Sequence, residues 1–186
     1  KVISTNANGA ISVTTADVDG DGDMDVLSAT FYDDKIAWYE NDGNEVFTEK
    51  VISTNADRVR SVTTADVDGD GDLDVLSASE SDDKIAWYEN DGSQGFTEKV
   101  ISTNADGAWS VTTADVDGDG DIDVLSASAY DDKIAWYQNN GNEVFSEKVI
   151  STNADSVLSV ITADVDGDGD LDVLSASLND DKIVWY

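Results

Sequence analysis

The 186-residue sequence has no cysteine, no histidine and no proline. It therefore has no disulfide framework, no zinc or haem ligand, no thiol nucleophile and no imidazole base. Positive charge is scarce as well, because 10 Lys and Arg face 41 Asp and Glu and leave a formal net charge of −31. Such a surplus repels phosphate backbones and anionic headgroups, so neither a nucleic-acid partner nor a membrane surface is expected. What remains is the chemistry of oxygen: carboxylates, hydroxyls, amides and backbone carbonyls.

Long apolar runs are also missing. No run approaches the roughly 20 residues that a bilayer crossing needs, so membrane insertion is not expected. The sequence begins at Lys1 without a basic-then-apolar leader. We therefore expect any targeting segment to lie outside this sequence.

The chain repeats one motif at a constant step of 49 residues. An acidic string that starts at Asp17 recurs at Asp66, Asp115 and Asp164, and the flanking segments follow the same step. No linker or shift in composition separates the copies, so we expect one domain, 1–186, rather than four independent units. Its repeats are 1–49, 50–98, 99–147 and 148–186.

Each repeat holds four short segments typical of β-strands. In the first repeat they are residues 12–16, 25–29, 35–40 and 46–53, which are rich in β-branched and aromatic residues and separated by turn residues. No helical period is present. The pattern predicts an all-β fold, a β-propeller of four-stranded antiparallel blades. A β-solenoid is the alternative, but its repeats are usually shorter.

The chain does not start at the beginning of a blade, so it has an extra outer strand at its N-terminus and lacks one at its C-terminus. The chain starts inside a fourth strand, so residues 1–5 predict an orphan outer strand, and the last repeat lacks its own. Pairing the two would leave no open edge. Closure within one chain gives a four-bladed ring, closure between two chains gives an eight-bladed homo-oligomer, and further blades give a larger ring. These three arrangements stay open.

An acidic loop of nine residues is the strongest chemical signal in each repeat. Carboxylates occupy positions 1, 3, 5, 7 and 9, and glycines occupy positions 4 and 6. Alternate spacing in a tight turn directs several carboxylates at one point, and the glycines permit a positive φ. Without a cation these carboxylates would repel one another, and an oxygen-only ligand set in a flexible loop suits Ca²⁺ better than Mg²⁺. The candidate ligands are Asp17, Asp19, Asp21, Asp23 and Asp25; Asp66, Asp68, Asp70, Asp72 and Asp74; Asp115, Asp117, Asp119, Asp121 and Asp123; and Asp164, Asp166, Asp168, Asp170 and Asp172.

We expect one Ca²⁺ per repeat, about four per chain, with side chains binding from positions 1, 3, 5 and 9 and a backbone carbonyl from position 7. The loop is not an EF-hand, because position 12 is Ser28 instead of a bidentate Glu and the flanks are strands. We expect the metal to stabilise the turn between the first two strands of each blade. A solvated acidic turn without metal is the alternative.

These loops, each followed by Val-Leu-Ser-Ala, resemble the calcium loops of the FG-GAP-like or VCBS-type repeat family, which is related to the propeller of integrin α chains. The similarity covers essentially the whole chain. It implies a calcium-binding β-propeller, usually seven-bladed, in an extracellular or cell-surface protein that binds proteins or carbohydrates. Two features depart from the family: the Phe-Gly and Gly-Ala-Pro signatures are missing, and four repeats are fewer than seven.

Two windows differ among the four copies. They are the turns before the first strand and between the second and third strands, which in a propeller emerge on the face opposite the acidic loops. We interpret this variable face as a recognition surface for a protein or glycan. Drift at exposed loop tips is the alternative. The candidate contacts are Phe31, Tyr32, Arg58, Arg60, Trp109 and Tyr130.

Other aromatic and acidic residues repeat in every copy. Trp38 and Tyr39 each recur at the same strand position in every repeat, which indicates packing between blades. The Asp33-Asp34 pair invites a glycosidase interpretation, but adjacent residues seldom address one substrate atom, so we expect no enzyme. The sequence thus predicts a calcium-stabilised, non-catalytic module for extracellular recognition or adhesion. A structural module that oligomerises by strand complementation, without a small ligand, is the alternative.

Overall fold

The computed structural model describes all 186 residues, which form fifteen β-strands and no α-helix. No helix with the length and apolarity needed to cross a membrane is present. The predicted all-β fold is confirmed, and the four strands predicted for the first repeat each start within two residues of the expected position. The strands extend slightly further than predicted because their ladders continue to the turn residues.

The strands form four antiparallel sheets in chain order, and each sheet is one blade of a β-propeller. Blade 1 contains β1 (Ala10–Ala16), β2 (Asp25–Thr30), β3 (Lys35–Asn41) and β4 (Phe47–Ser53). Blade 2 contains β5 (Val59–Ala65), β6 (Asp74–Ser79), β7 (Lys84–Asn90) and β8 (Phe96–Ser102). Blade 3 contains β9 (Ala108–Ala114), β10 (Asp123–Ser128), β11 (Lys133–Asn139) and β12 (Phe145–Ser151). Blade 4 contains β13 (Val157–Ala163), β14 (Asp172–Ser177) and β15 (Lys182–Trp185).

The hydrophobic core lies between neighbouring blades. Leu27 and Trp38 of blade 1 belong to one buried cluster with Val62 and Tyr88 of blade 2. Trp38 also meets Phe96 edge to face, with ring centroids 6.5 Å apart. Strands β6 and β10 are buried along their whole length, because blades 2 and 3 have neighbours on both faces. Burial on both faces explains why Val-Leu-Ser-Ala shows no alternation of polar and apolar residues.

The first residues of the chain depart from the prediction. Residues 1–5 do not form a strand, and blade 4 keeps only three strands with the outer edge of β15 unpaired. A strand needs a neighbouring edge to satisfy its N–H and C=O groups, and β15 does not lie beside these residues. The four blades therefore form an open arc, and the three modes of closure stay predictions.

Candidate metal centre and variable face

Each acidic loop joins the first strand of a blade to the second and is folded by its own aspartates. In blade 1, Asp17 Oδ2 accepts the Gly22 N–H at 3.0 Å, and Asp21 Oδ1 accepts the Asp23 N–H at 2.9 Å. The loop glycines adopt positive φ, 72° at Gly20 and 94° at Gly22. Most L-residues rarely adopt these values, so the two glycines fix the path of the loop.

Carboxylates converge in all four loops. In each loop three aspartates offer oxygens that lie within 4.8 Å of one another. Positions 1 and 3 take part in every loop, position 9 joins them in three, and position 5 joins them in blade 2. The groups are Asp17, Asp19 and Asp25; Asp66, Asp68 and Asp70; Asp115, Asp117 and Asp123; and Asp164, Asp166 and Asp172.

The donor set fits a hard divalent cation. All the converging ligand atoms are carboxylate oxygens, which Ca²⁺ prefers. Asp17 Oδ1 is buried and has no hydrogen-bond partner, so it is an acceptor with a free lone pair beside the cluster. A buried oxygen of this kind is costly unless a proton or a cation satisfies it.

The aspartate at position 9 also links the acidic loop to the third strand of its blade. Asp25 is fully buried, and its two oxygens accept the N–H groups of Val18 at 3.1 Å and Asn41 at 2.7 Å. Asp74 and Asp123 make the same pair of contacts in their blades. This residue therefore ties the acidic loop to the end of the third strand, so the loop is held even before an ion binds.

The protonation equilibria reflect the crowding of these acids. Burial raises the pKa of Asp74 to about 6, although the N–H groups of Asn90 and Val67 oppose the shift. Burial also raises the pKa values of Asp19 and Asp68, with neighbouring carboxylates adding to the effect. A bound cation would act in the opposite direction, because it favours the ionised form of each ligand.

Position 7 stands apart from the converging oxygens. The side chains of Asp23, Asp72 and Asp121 lie against glycines in the turn between the third and fourth strands, where a side chain would collide with the carboxylate. Those glycines are Gly43, Gly92 and Gly141. The position-7 side chains thus contact the neighbouring turn, and binding through their carbonyls stays a prediction.

The variable windows do share one face. In each blade the turn before the first strand and the turn between the second and third strands are joined by backbone hydrogen bonds. Phe31 donates its N–H to Gly9 O at 3.0 Å, and Glu80 donates to Arg58 O at 3.2 Å. This pairing lies at the end of the sheet opposite the acidic loops, because successive strands are antiparallel.

Four of the six predicted contact residues form one cluster: Arg60, Phe31, Trp109 and Tyr130. The Arg60 guanidinium carbon lies 4.2 Å from the Phe31 ring centroid and 3.8 Å from that of Trp109. Arg60 also forms an ion pair with Glu80, and its Nε donates to Glu80 Oε2 at 2.6 Å. The Tyr130 hydroxyl donates to the other Glu80 oxygen. Residues from three blades thus form one cluster around an arginine–carboxylate pair, in which two guanidinium nitrogens of Arg60 contact one oxygen of Glu80.

The remaining two candidates lie at the edge of this cluster. Tyr32 packs edge to face on Phe31 at 5.1 Å between centroids and is 71% exposed. The Arg58 guanidinium carbon is 5.5 Å from the Phe31 centroid. Glu80 was missed by the sequence reasoning, although it is the one acidic residue at its window position and shares a repeat with both arginines.

Residues 17–77, 66–126 and 115–175 each match the FG-GAP-like repeat family, so the matches overlap and run across most of the chain. The chain belongs to the FG-GAP-like repeat family. None of the curated proteins matches it. The resemblance that the acidic loops suggested is thereby confirmed, and the matched segments include all four of those loops.

Solved structures share the fold of these FG-GAP-like repeats at low sequence identity. One is an Agrocybe aegerita lectin that recognises non-reducing terminal N-acetylglucosamine, with 21% identity and a TM-score of 0.63 over 90% of this chain and 47% of the lectin. Another is a putative 6-phosphogluconolactonase from Bacteroides uniformis, with 15% identity and a TM-score of 0.67 over 95% of this chain and 50% of that one. A third is the V. cholerae biofilm matrix protein Bap1, with 19% identity and a TM-score of 0.55 over 100% of this chain and 32% of Bap1. The chain spans half or less of each.

The paired aspartates of the FG-GAP-like repeats make structural contacts. Asp34 Oδ1 accepts the Arg58 N–H of the next blade at 2.9 Å, and Asp33 Oδ2 accepts the Asn8 N–H at 3.0 Å. In blade 2, Asp82 lies 3.0 Å from Lys84 Nζ. The two side chains of a pair therefore bind different groups.

Proposed function

We propose that the chain is a calcium-stabilised, non-catalytic β-propeller module of an extracellular or cell-surface protein, where it serves recognition or adhesion. The observation that carries the proposal is the convergence of carboxylate oxygens within 4.8 Å in each of four loops. One Ca²⁺ in each loop would offset part of the negative charge of its cluster. Weak sites of the order of 10⁻⁴–10⁻³ M fill outside the cell, which favours that location.

The absence of catalysis is part of the proposal. The chain has no histidine or cysteine to act as a base or nucleophile. Its paired aspartates bind backbone N–H groups and lysines, and they recur in every blade. Both properties favour an architectural role for these carboxylates.

The variable face supports recognition of a protein or a glycan. Tyr130 is 60% exposed and, like Tyr32, offers an aromatic face with a polar tip. Such side chains provide apolar contact and hydrogen bonding together, as binding surfaces require. Two similar folds belong to a lectin and to a biofilm matrix protein, which agrees with a ligand on this class of scaffold.

Calorimetry and thermal unfolding test the metal part of the proposal. We expect protein stripped with chelator to bind four Ca²⁺ per chain and to melt at a higher temperature once they are bound. A melting curve that is the same in excess chelator and in millimolar calcium would contradict a stabilising role. Mg²⁺ at equal concentration is the control and should have a smaller effect.

A glycan and peptide array, probed in calcium, tests the recognition part. We expect Tyr32→Ala and Tyr130→Ala to weaken binding to any ligand found. Val46→Ala is the matched control, because Val46 is 57% exposed and precedes β4 at the opposite end of blade 1. If only Val46→Ala abolished binding, the ligand would lie on the face of the acidic loops, which would contradict recognition by the variable face.

A structural module that self-assembles is a second candidate. The unpaired outer edge of β15 and the unpaired residues 1–5 favour it. This candidate needs no ligand on the variable face.

A further inference from the structure

The two end faces of the arc are exposed where the same positions are buried inside it. Val13 of blade 1 is 69% exposed, whereas its counterparts Val62, Val111 and Val160 are 5%, 5% and 2% exposed. Ile183 of blade 4 is 85% exposed, whereas Ile36, Ile85 and Ile134 are fully buried. We name the side of blade 1 that carries Val13 the leading face and the side of blade 4 that carries Ile183 the trailing face.

The trailing face is not adapted to water. Terminal repeats of soluble arrays usually carry a polar outer face. Here Ile161 replaces the Thr of the other three copies and is 54% exposed, and Trp185 is 51% exposed. On the leading face, Ile11 is 45% exposed. Both faces therefore have the character of a blade junction.

We propose that the leading face of one copy of this chain packs on the trailing face of a second copy, and that two such junctions close a two-chain ring. The three junctions inside the chain are the template. At each of them a valine N–H donates to a serine Oγ of the preceding blade, at 3.3 Å for Val62 and Ser12. Ser159 and Val13 are the corresponding pair left free at the ends.

Other template contacts predict compatible pairs across the new junction. Trp38 meets Phe96, and Trp87 meets Phe145, so Trp185 would meet Phe47 of the second copy. The Asn90 amide donates to Val18 O of the preceding blade at 3.2 Å, so that of Asn41 would donate to Val165 O. On the variable face, the exposed Leu178 takes the position of Phe31 and would meet Ile11, which takes that of Arg60. Each pair joins groups of compatible chemistry.

The N-terminal residues are already held where an outer strand of a preceding blade would lie. Lys35 Nζ donates to Asn6 O at 2.9 Å, as Lys84 does to Asn55 O at 3.0 Å. Lys1 pairs with Glu45, as Lys99 pairs with Glu143.

Residues 1–4 would therefore complete the three-stranded blade 4 of the second copy. The ladder between β3 and β4 pairs Trp38 with Lys50 and Ala37 with Val51. In that register Lys1 lies opposite Trp185, and Val2 lies opposite Val184. The added strand would cover the open edge of β15.

The number of blades agrees with a pair of chains. Two copies give eight blades, which lies within the usual range of four to eight for propellers.

Sedimentation equilibrium in millimolar calcium tests the proposal on the unmodified chain. We expect a mass of twice 19.8 kDa that does not increase with concentration. Ile183→Lys and Val13→Lys should each halve the mass, because each removes one side of both junctions. An equimolar mixture of the two variants retains one intact junction, so it should recover the doubled mass at higher concentration.

Val100→Lys is the matched control and should keep the doubled mass, because Val100 is 53% exposed on β8, away from both end faces. Since Ile183 and Val13 are exposed in the single chain, their variants should keep the circular dichroism spectrum of the unmodified protein. A monomer at all concentrations, a mass that grows beyond two chains, or a dimer disrupted by only one of the two lysine variants would overturn the proposal.

Discussion

Single residues in the turns connect one blade to the next. Asp83 has a left-handed backbone with φ of 55°, and its Oδ1 accepts the Gly107 N–H of blade 3 at 3.0 Å. Asp34 and Asp132 do the same at the other internal junctions. Asp tolerates positive φ better than most residues, so one side chain provides both the turn and the link.

Three substitutions at Asp83 should separate these two effects. We expect Asp83→Asn to change stability little, because Asn keeps an acceptor and tolerates this backbone. Asp83→Gly relieves strain but loses the acceptor, which should cost about 1–2 kcal/mol. Asp83→Ala loses the acceptor and also strains the left-handed backbone, so it should cost roughly 1 kcal/mol more than Asp83→Gly. Chemical unfolding measures the series, and equal effects of Gly and Ala would remove backbone strain from the explanation.

Asp74 makes the metal-free protein sensitive to acid in an unusual direction. Its folded pKa is about 6, above the ordinary value of 3.8, so folding takes up a proton between these values. In chelator, protonation of Asp74 should therefore add stability as the pH falls from about 6 to about 4. We expect Asp74→Asn to remove this gain, measured as the change in unfolding free energy with pH. Asp70→Asn is the control, and an identical loss with it would contradict the assignment to Asp74.

At the scale of elements, the acidic loop is a self-contained unit within a rigid frame. Position 9 joins it to the third strand, and position 7 contacts the turn that follows that strand. Positions 1 and 3 take part in the carboxylate cluster of every copy. Because these positions make different contacts, substitutions at them should have different effects on the loop.

Asp115→Ala and Asp121→Ala should differ in their effect on calcium stoichiometry. Asp115 is the position-1 carboxylate of the blade 3 cluster, and its loss should reduce the bound Ca²⁺ from four to three per chain. Asp121 turns its side chain toward Gly141, so its alanine variant should still bind four. Isothermal titration calorimetry counts the ions. Four sites in both variants would show that position 1 is dispensable.

The strands and acidic loops were predictable because their signals are local. β-Branched, aromatic and turn residues locate β1 to β3, and the carboxylate spacing locates the acidic cluster within a single turn. Residues 1–5 were predicted wrongly because a strand depends on a distant partner edge, which their own sequence does not provide. Glu80 was overlooked for a related reason: its pairing with Arg60 and Tyr130 depends on how the turns of blades 2 and 3 lie beside each other.

For the whole molecule, repulsion between carboxylates opposes folding. The four acidic loops contain 20 of the 41 acidic residues, so about half of the negative charge lies in four clusters. Four Ca²⁺ would add 8 positive charges and change the formal net charge from −31 to −23. The chain would remain strongly anionic, but the repulsion between its closest carboxylates would be reduced.

Salt should therefore stabilise the calcium-free protein more than the calcium-bound protein. In chelator, raising NaCl from 10 mM to 500 mM should raise the melting temperature, because screening weakens repulsion between the clustered carboxylates. In calcium the same change should have a smaller effect, since the bound ions already reduce the repulsion within those clusters. Differential scanning calorimetry at matched protein concentrations measures both. Equal salt dependence in the two conditions would indicate that the repulsion lies outside the loops.

Because every internal junction uses the same kinds of side chain, the gene can change length without inventing a new interface. Recombination between two repeats, out of step by one unit, would insert or delete 49 residues and join blades that are already complementary. The curvature of the arc and the identity of the junctions would survive such an event. Blade number could thus vary by a simple genetic exchange, while differences among the turns on the variable face accumulate one substitution at a time.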